Sequence, residues 1–107
     1  MIISVVEIDM PEGMERAEVD AAIEKTAPRY HDVEGLLYKY YTAKEPDVTG
    51  GVYVWQTREM AEAAYADPEW LKIIRDGYGT EPRITYYDVK LVVDNVANKI
   101  HSGGEEP

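Results

Sequence analysis

The first apolar run of the chain is apolar on both sides. In the stretch 2–8, Ile3 and Val5 fall on one face of an extended chain and Ile2, Val6 and Ile8 on the other. β-Branched residues in that arrangement predict a strand covered on both faces. Pro11-Glu12-Gly13 makes a turn. From about Met14 to Tyr30 the period changes. Val19, Ala22, Ile23, Thr26, Ala27 and Tyr30 follow the i, i+3, i+4, i+7 spacing of an amphipathic helix. Glu15, Glu18, Asp20 and Glu24 lie opposite or near its start, where acids suit the helix dipole. Pro28 is expected to kink the last turn or end the helix just before it.

Alternation returns in the stretch 36–43. Leu37, Lys39 and Tyr41 share one face, and Leu36, Tyr38, Tyr40 and Thr42 the other. A polar connection over 44–50 leads to a third strand, 51–56, with Tyr53 and Trp55 on one face and Val52 and Val54 on the other. Gly50 and Gly51 precede a strand rather than a helix, so they read as a turn or bulge and not as a phosphate loop. Thr57 caps an alanine-rich helix over 58–66, and Asp67-Pro68 restarts it with Leu71, Ile74 and Tyr78 as the buried stripe. Gly77 or Gly79 ends that helix. Pro82 precedes a last strand over 83–93.

The order β-α-β-β-α-β predicts an α+β, ferredoxin-like fold with a four-stranded antiparallel sheet and both helices on one face. It forms a single domain over 1–96, followed by a flexible C-terminal tail over 97–107. Two helices cover one face of a sheet, yet three strands are apolar on both. The uncovered face is a larger patch than a monomer exposes, and a second copy is the simplest cover. A homodimer with its sheets face to face is therefore expected.

Composition narrows the class. The 107 residues carry a net charge of −10, which excludes nucleic acid and an anionic membrane surface as partners. The absence of cysteine removes disulfides, thiolate metal sites and a thiol nucleophile. No segment approaches the length of a membrane span, and the N-terminal run lacks a basic leader, so a soluble cytoplasmic protein is expected. Nine Tyr and two Trp with no Phe suit a core that lines a cavity or an interface.

The candidate chemistry is sparse. His31, beside Asp32, is either a general base or a helix cap. Lys39, inside an aromatic strand, either reaches the cavity to steady an anion or snorkels to the sheet edge. Trp55 and Tyr53 line a pocket or pack the core, and Tyr65 and Trp70 close that pocket or pack above it. Tyr40 shares the strand of Lys39. His31, Asp32 and Glu34 lack a standard ligand spacing, and no metal or other cofactor is expected.

The run GGVYVWQTREMAEAAYADPEW, followed by RDGYGTEP, ITYYDV and VVDN, with RYHDVEGLLYKYY ahead of it, resembles the YdhR-type monooxygenases. These are relatives of the antibiotic-biosynthesis monooxygenases in the dimeric α/β-barrel superfamily. The resemblance spans roughly residues 2 to 95. It implies a cavity between sheet and helices, in which a small aromatic or polyketide-like molecule is deprotonated and reacts with oxygen without a cofactor. Trp55 matches the third-strand Trp of that group, while the group's Asn and Tyr are Gly51 and Ala61 here. The iron-ligating His of the haem-degrading relatives is Tyr65, which argues against haem degradation. The implied site has Trp55, Tyr40, Tyr53 and Trp70 binding substrate, with His31, Lys39 and Tyr65 as the chemical groups. The other readings are a non-catalytic dimeric ligand-binding protein and a related small-molecule isomerase or lyase.

Overall fold

The computed structural model describes residues 1–104. Strand β1 spans Ile2–Asp9. Helix α1, Arg16–Thr26, opens with a capping box between Glu15 and Glu18, which satisfies two free N–H groups at once. A 3-10 turn, Ala27–Tyr30, follows with Pro28 near its start. The helix therefore ends where Pro28 removes an amide hydrogen, and Tyr30 leaves on the tighter turn. Strands β2, Leu36–Lys44, and β3, Val48–Trp55, form a hairpin.

Helix α2, Arg58–Tyr65, is capped by Thr57, whose hydroxyl accepts the Met60 N–H at 3.2 Å. Helix α3, Pro68–Tyr78, has Asp67 as cap and stops at Gly79, whose φ of 70° is left-handed. Strand β4 is Arg83–Asp88, and β5, Leu91–Asp94, pairs with β6, Lys99–Ser102. The main sheet is antiparallel in the order β2-β3-β1-β4, as the ferredoxin-like pattern requires.

The core lies on the helix side of this sheet. Ile2, Val6 and Ile8 of β1 meet Tyr53 and Trp55 of β3, with Ala61, Tyr65, Trp70 and Ile74 above them. Helix α1 adds only Val19 as a fully buried side chain, so it sits less tightly on the sheet than α2 and α3 do. The opposite face carries Ile3, Val5, Val52 and Val54, half-buried, beside exposed Tyr38, Tyr40 and Tyr87. The Tyr38 and Tyr40 rings stack there with centroids 6.3 Å apart.

Four local expectations change. A bulge between Leu36 and Tyr38 shifts the register, so Leu36 pairs with Trp55 and packs against the core on the same side as Lys39. Alternation counted along the sequence cannot see that extra residue. Gly50 and Gly51 lie inside β3 rather than in a turn. A Cβ at Gly50 would fall 1.9 Å from the Val6 carbonyl oxygen, so close backbone approach fixes glycine there.

The expected last strand breaks after Asp88 and resumes at Leu91. Residues 99–102, expected in the tail, are the return strand of a hairpin instead. Asp94 accepts the amides of Val96 and Ala97 at 3.0 and 2.9 Å, and Asn98 takes the left-handed conformation that closes the turn. The end of the expected tail, 105–107, lies outside the described residues.

Candidate functional site

The strand period brings Tyr53 and Trp55 to the helix side of β3, with their rings stacked at 6.0 Å and 7°. Tyr65, from the last turn of α2, stands edge-on to both, at 5.5 Å from Tyr53 and 5.7 Å from Trp55. Trp70, in the first turn of α3, tilts against Tyr65 at 4.9 Å. The polar edges of these rings are bound within the protein. The Trp55 indole donates to the Ser4 hydroxyl at 3.0 Å, and that hydroxyl lies 2.5 Å from the Tyr65 hydroxyl. Ser4 is 0% exposed and Trp55 1%. The Trp70 indole donates to the Tyr30 hydroxyl at 3.1 Å. Burial pushes the Tyr65 phenol well up from its ordinary range, so it is a neutral hydrogen-bonding group at physiological pH.

Beside this wall is a cavity of about 320 Å³, bounded by Tyr30, Tyr53, Trp55, Tyr65 and Trp70, with Arg29 and Asp67 at its polar edge. A second cavity, of about 180 Å³, lies between α1, α3 and the sheet. Tyr30, Tyr53 and Arg29 border both. Val19, Ala22 and Ile23 of α1 line the second space, with Met14 ahead of that helix.

Lys39 opens onto the second cavity inside a cage of rings. Its Nζ lies 3.1 Å from the centroid of Tyr30, 3.9 Å from Tyr41 and 4.7 Å from Tyr53. Among the described residues no carboxylate pairs with it. Removal from water, with the Arg29 guanidinium as a second cause, brings its ammonium pKa down to about 7. The three ring faces favour the ammonium and work against that shift. Burial also raises the Tyr30, Tyr41 and Tyr53 phenols. Lys39 is therefore the group of this region that can change charge near neutral pH.

The structure brings Trp55, Tyr53, Tyr65 and Trp70 to one cavity and Lys39 to its neighbour. The other two residues singled out in the sequence lie elsewhere. Tyr40 points to the opposite face of the sheet, 55% exposed, because it alternates with Lys39 and Tyr41. The His31 side chain is 85% exposed, borders neither cavity and meets only Asp32, at 3.7 Å.

Ser4, Arg29 and Tyr30 were missed, while Tyr41 had been placed on the Lys39 face without a role. Ser4 had a readable signal, as the one polar residue on the Ile2, Val6, Ile8 face of β1. Tyr30 had none, since its position depends on the 3-10 turn. Among the described residues no three His, Asp or Glu side chains come together in a metal-binding group.

These features define a ferredoxin-like protein with cavities between its sheet and its helices. No family model and no curated protein matches the chain. Solved structures do. ActVA-Orf6, a monooxygenase of Streptomyces coelicolor solved with nanaomycin D, aligns over 80% of this chain and 84% of its own at 15% identity and a TM-score of 0.63. A candidate antibiotic biosynthesis monooxygenase from Deinococcus radiodurans aligns over 81% of this chain and 90% of its own, at 17% identity and a TM-score of 0.64. A mutant of MhuD with two manganese protoporphyrin IX molecules bound per active site covers 83% and 94%, at 16% identity and a TM-score of 0.63. The fold is the one found in antibiotic biosynthesis monooxygenases, and at these identities the likeness speaks for the fold alone.

Proposed function

We propose that the protein is a cofactor-independent monooxygenase for a small aromatic or polyketide-like molecule. The observation that carries this reading is the 320 Å³ cavity walled by Tyr53, Trp55, Tyr65 and Trp70, with a lysine of depressed pKa across Tyr30 and Tyr53 from it. A flat phenol fits between such rings. Its deprotonation yields an electron-rich phenolate, which adds oxygen at a ring carbon. The resulting hydroperoxide loses water and leaves a quinone, so one phenol and one O2 give one quinone and one H2O. The aromatic wall orients the substrate and excludes water. Neutral Lys39 lies in the adjoining cavity, past Tyr30 and Tyr53, which border both spaces; it takes up the phenol proton from there, and its ammonium balances the charge of the anion. Trp55 and Tyr53 position the ring, and the Tyr65 hydroxyl exchanges its contact with Ser4 for one with substrate.

The apolar outer face of the sheet, with Val52, Val54, Tyr38 and Tyr40, is assigned to a second copy of the chain. The dimer works in the cytoplasm. No helix among the described residues is long and apolar enough to cross a membrane.

One observation favours a ligand-binding protein without turnover. Ser4, Trp55 and Tyr65 already bond to one another, which leaves a single hydroxyl hydrogen in that trio for a reacting oxygen. Oxygen uptake with a panel of phenols and hydroxynaphthalenes separates the two. Saturable uptake supports the oxygenase. Binding without uptake supports the ligand carrier, and turnover without oxygen supports an isomerase or lyase.

A further inference from the structure

We propose that Lys39 is an imine-forming amine and that the cavity beneath α1 is a site for a small apolar aldehyde or ketone. This goes beyond the oxygenase reading and shares with it only an uncharged Lys39. Three observations converge. The amine is caged by Tyr30, Tyr41 and Tyr53 and has no carboxylate partner among the described residues. It opens onto a partly open space of about 180 Å³, walled largely by apolar side chains such as Val19, Ile23 and Ile74. A like charge, Arg29, lies on the same cavity. A lysine becomes a nucleophile when it is taken out of water beside another cation; burial is the larger cause here, since Arg29 is itself paired with Asp67 and Glu69 at 3.9 and 3.7 Å.

The remaining titratable groups facing this space are Glu18 from α1, Tyr78 from α3 and the three caging phenols. Glu18 is exposed and turned to its own helix start, where its carboxylate accepts the Glu15 amide at 3.3 Å. It does not lock Lys39 as an ammonium. The Tyr41 hydroxyl is buried without a well-formed hydrogen bond, so it can donate to a carbonyl oxygen.

The uncharged Nζ adds to the carbonyl carbon to give a carbinolamine. Its hydroxyl takes a proton and leaves as water as the C=N bond forms. Nothing is oxidised or reduced, and water reverses the step. The apolar walls select the chain or ring behind the carbonyl.

The test is reductive trapping of the full chain with benzaldehyde and sodium cyanoborohydride at pH 7, under nitrogen, followed by peptide mapping. An exposed lysine is uncharged roughly once in 2,500 molecules at this pH, whereas the lowered pKa of Lys39 gives it a far larger uncharged share, held back by the ring faces that favour its ammonium. Lower intrinsic nucleophilicity takes back part of that advantage. The expected result is N-benzylation of Lys39 at least about tenfold faster than of Lys25, Lys44, Lys72, Lys90 or Lys99, with a rate that levels off above about pH 8. Lys39→Arg, which keeps the cation, is expected to lose the fast label and no other. The Met1 amine reports separately through its own peptide. Labelling of Lys39 at or below the surface rate in the folded wild type overturns the proposal. Trapping under nitrogen does not need oxygen uptake, so the two failures are distinguishable: uptake without trapping keeps the oxygenase but removes Lys39 as its base, and trapping without uptake keeps the imine site alone.

Discussion

Ser4→Ala tests the buried hinge of the site. The Ser4 hydroxyl is fully enclosed and meets both the Trp55 indole and the Tyr65 hydroxyl. Removing it deletes one atom and leaves two buried polar groups, the Trp55 N–H and the Tyr65 hydroxyl, short of a partner. Each orphaned polar group costs about 1–3 kcal/mol. The two rings are close enough that one donor can turn to the other, so only part of that sum is expected. We predict a loss of about 2 kcal/mol, a large fraction of the roughly 5–15 kcal/mol that holds a domain together.

The measurement is urea unfolding followed by tryptophan fluorescence, at one fixed protein concentration, because self-association would shift the midpoint. A double-mutant cycle with Tyr65→Phe isolates the pair. The two losses are expected to be non-additive by about 1 kcal/mol. A loss below about 0.5 kcal/mol for Ser4→Ala, with full additivity, would refute a network centred on this hydroxyl.

Three further outcomes follow from the same geometry. Lys39 is charged in the unfolded chain up to about pH 10.4 but loses its proton near pH 7 when folded. The folded state therefore binds fewer protons in between, and stability rises with pH from about 7 to 9.5, by up to about 1.4 kcal/mol per pH unit. Lys39→Met is expected to flatten that slope in urea titrations, and an unchanged slope would assign it to other groups.

His31→Ala is expected to change stability by less than about 0.5 kcal/mol and to leave oxygen uptake and ligand binding as in the wild type, because its side chain is solvent-exposed and away from both cavities. Val54→Lys puts a charge in the middle of the outer sheet face and is expected to halve the mass seen by light scattering. A wild-type mass of one chain at micromolar concentration would contradict the face-to-face dimer.

The architecture was legible because periods of 2 and 3.6 alternate cleanly and the punctuation is strong. Thr57, Asp67-Pro68 and Gly79 mark helix ends by chemistry that acts within a few residues. The site was legible where it depends on the same short-range rule. Tyr53 and Trp55 share a face because they are two apart on a strand, and Tyr41 joins Lys39 for the same reason. Features set by long-range geometry were not legible. The bulge after Leu36 inserts one residue into the count and moves Leu36 to the core. The arrival of Tyr30 over Lys39 depends on how the 3-10 turn leaves α1. The β5–β6 hairpin depends on one aspartate cap and one left-handed asparagine in a stretch whose composition reads as a tail.

Oxygen uptake by the wild-type protein, measured in a sealed cell with a phenol whose binding is established by quenching of tryptophan fluorescence, tests the central claim most directly. The account predicts saturable uptake of one O2 per quinone formed, unchanged by chelator and reduced at least about tenfold in Trp55→Phe and in Tyr65→Phe. Tight binding of phenols in the Trp55 cavity with no oxygen consumed at any concentration would contradict it, and would make the protein a carrier of small aromatic molecules instead.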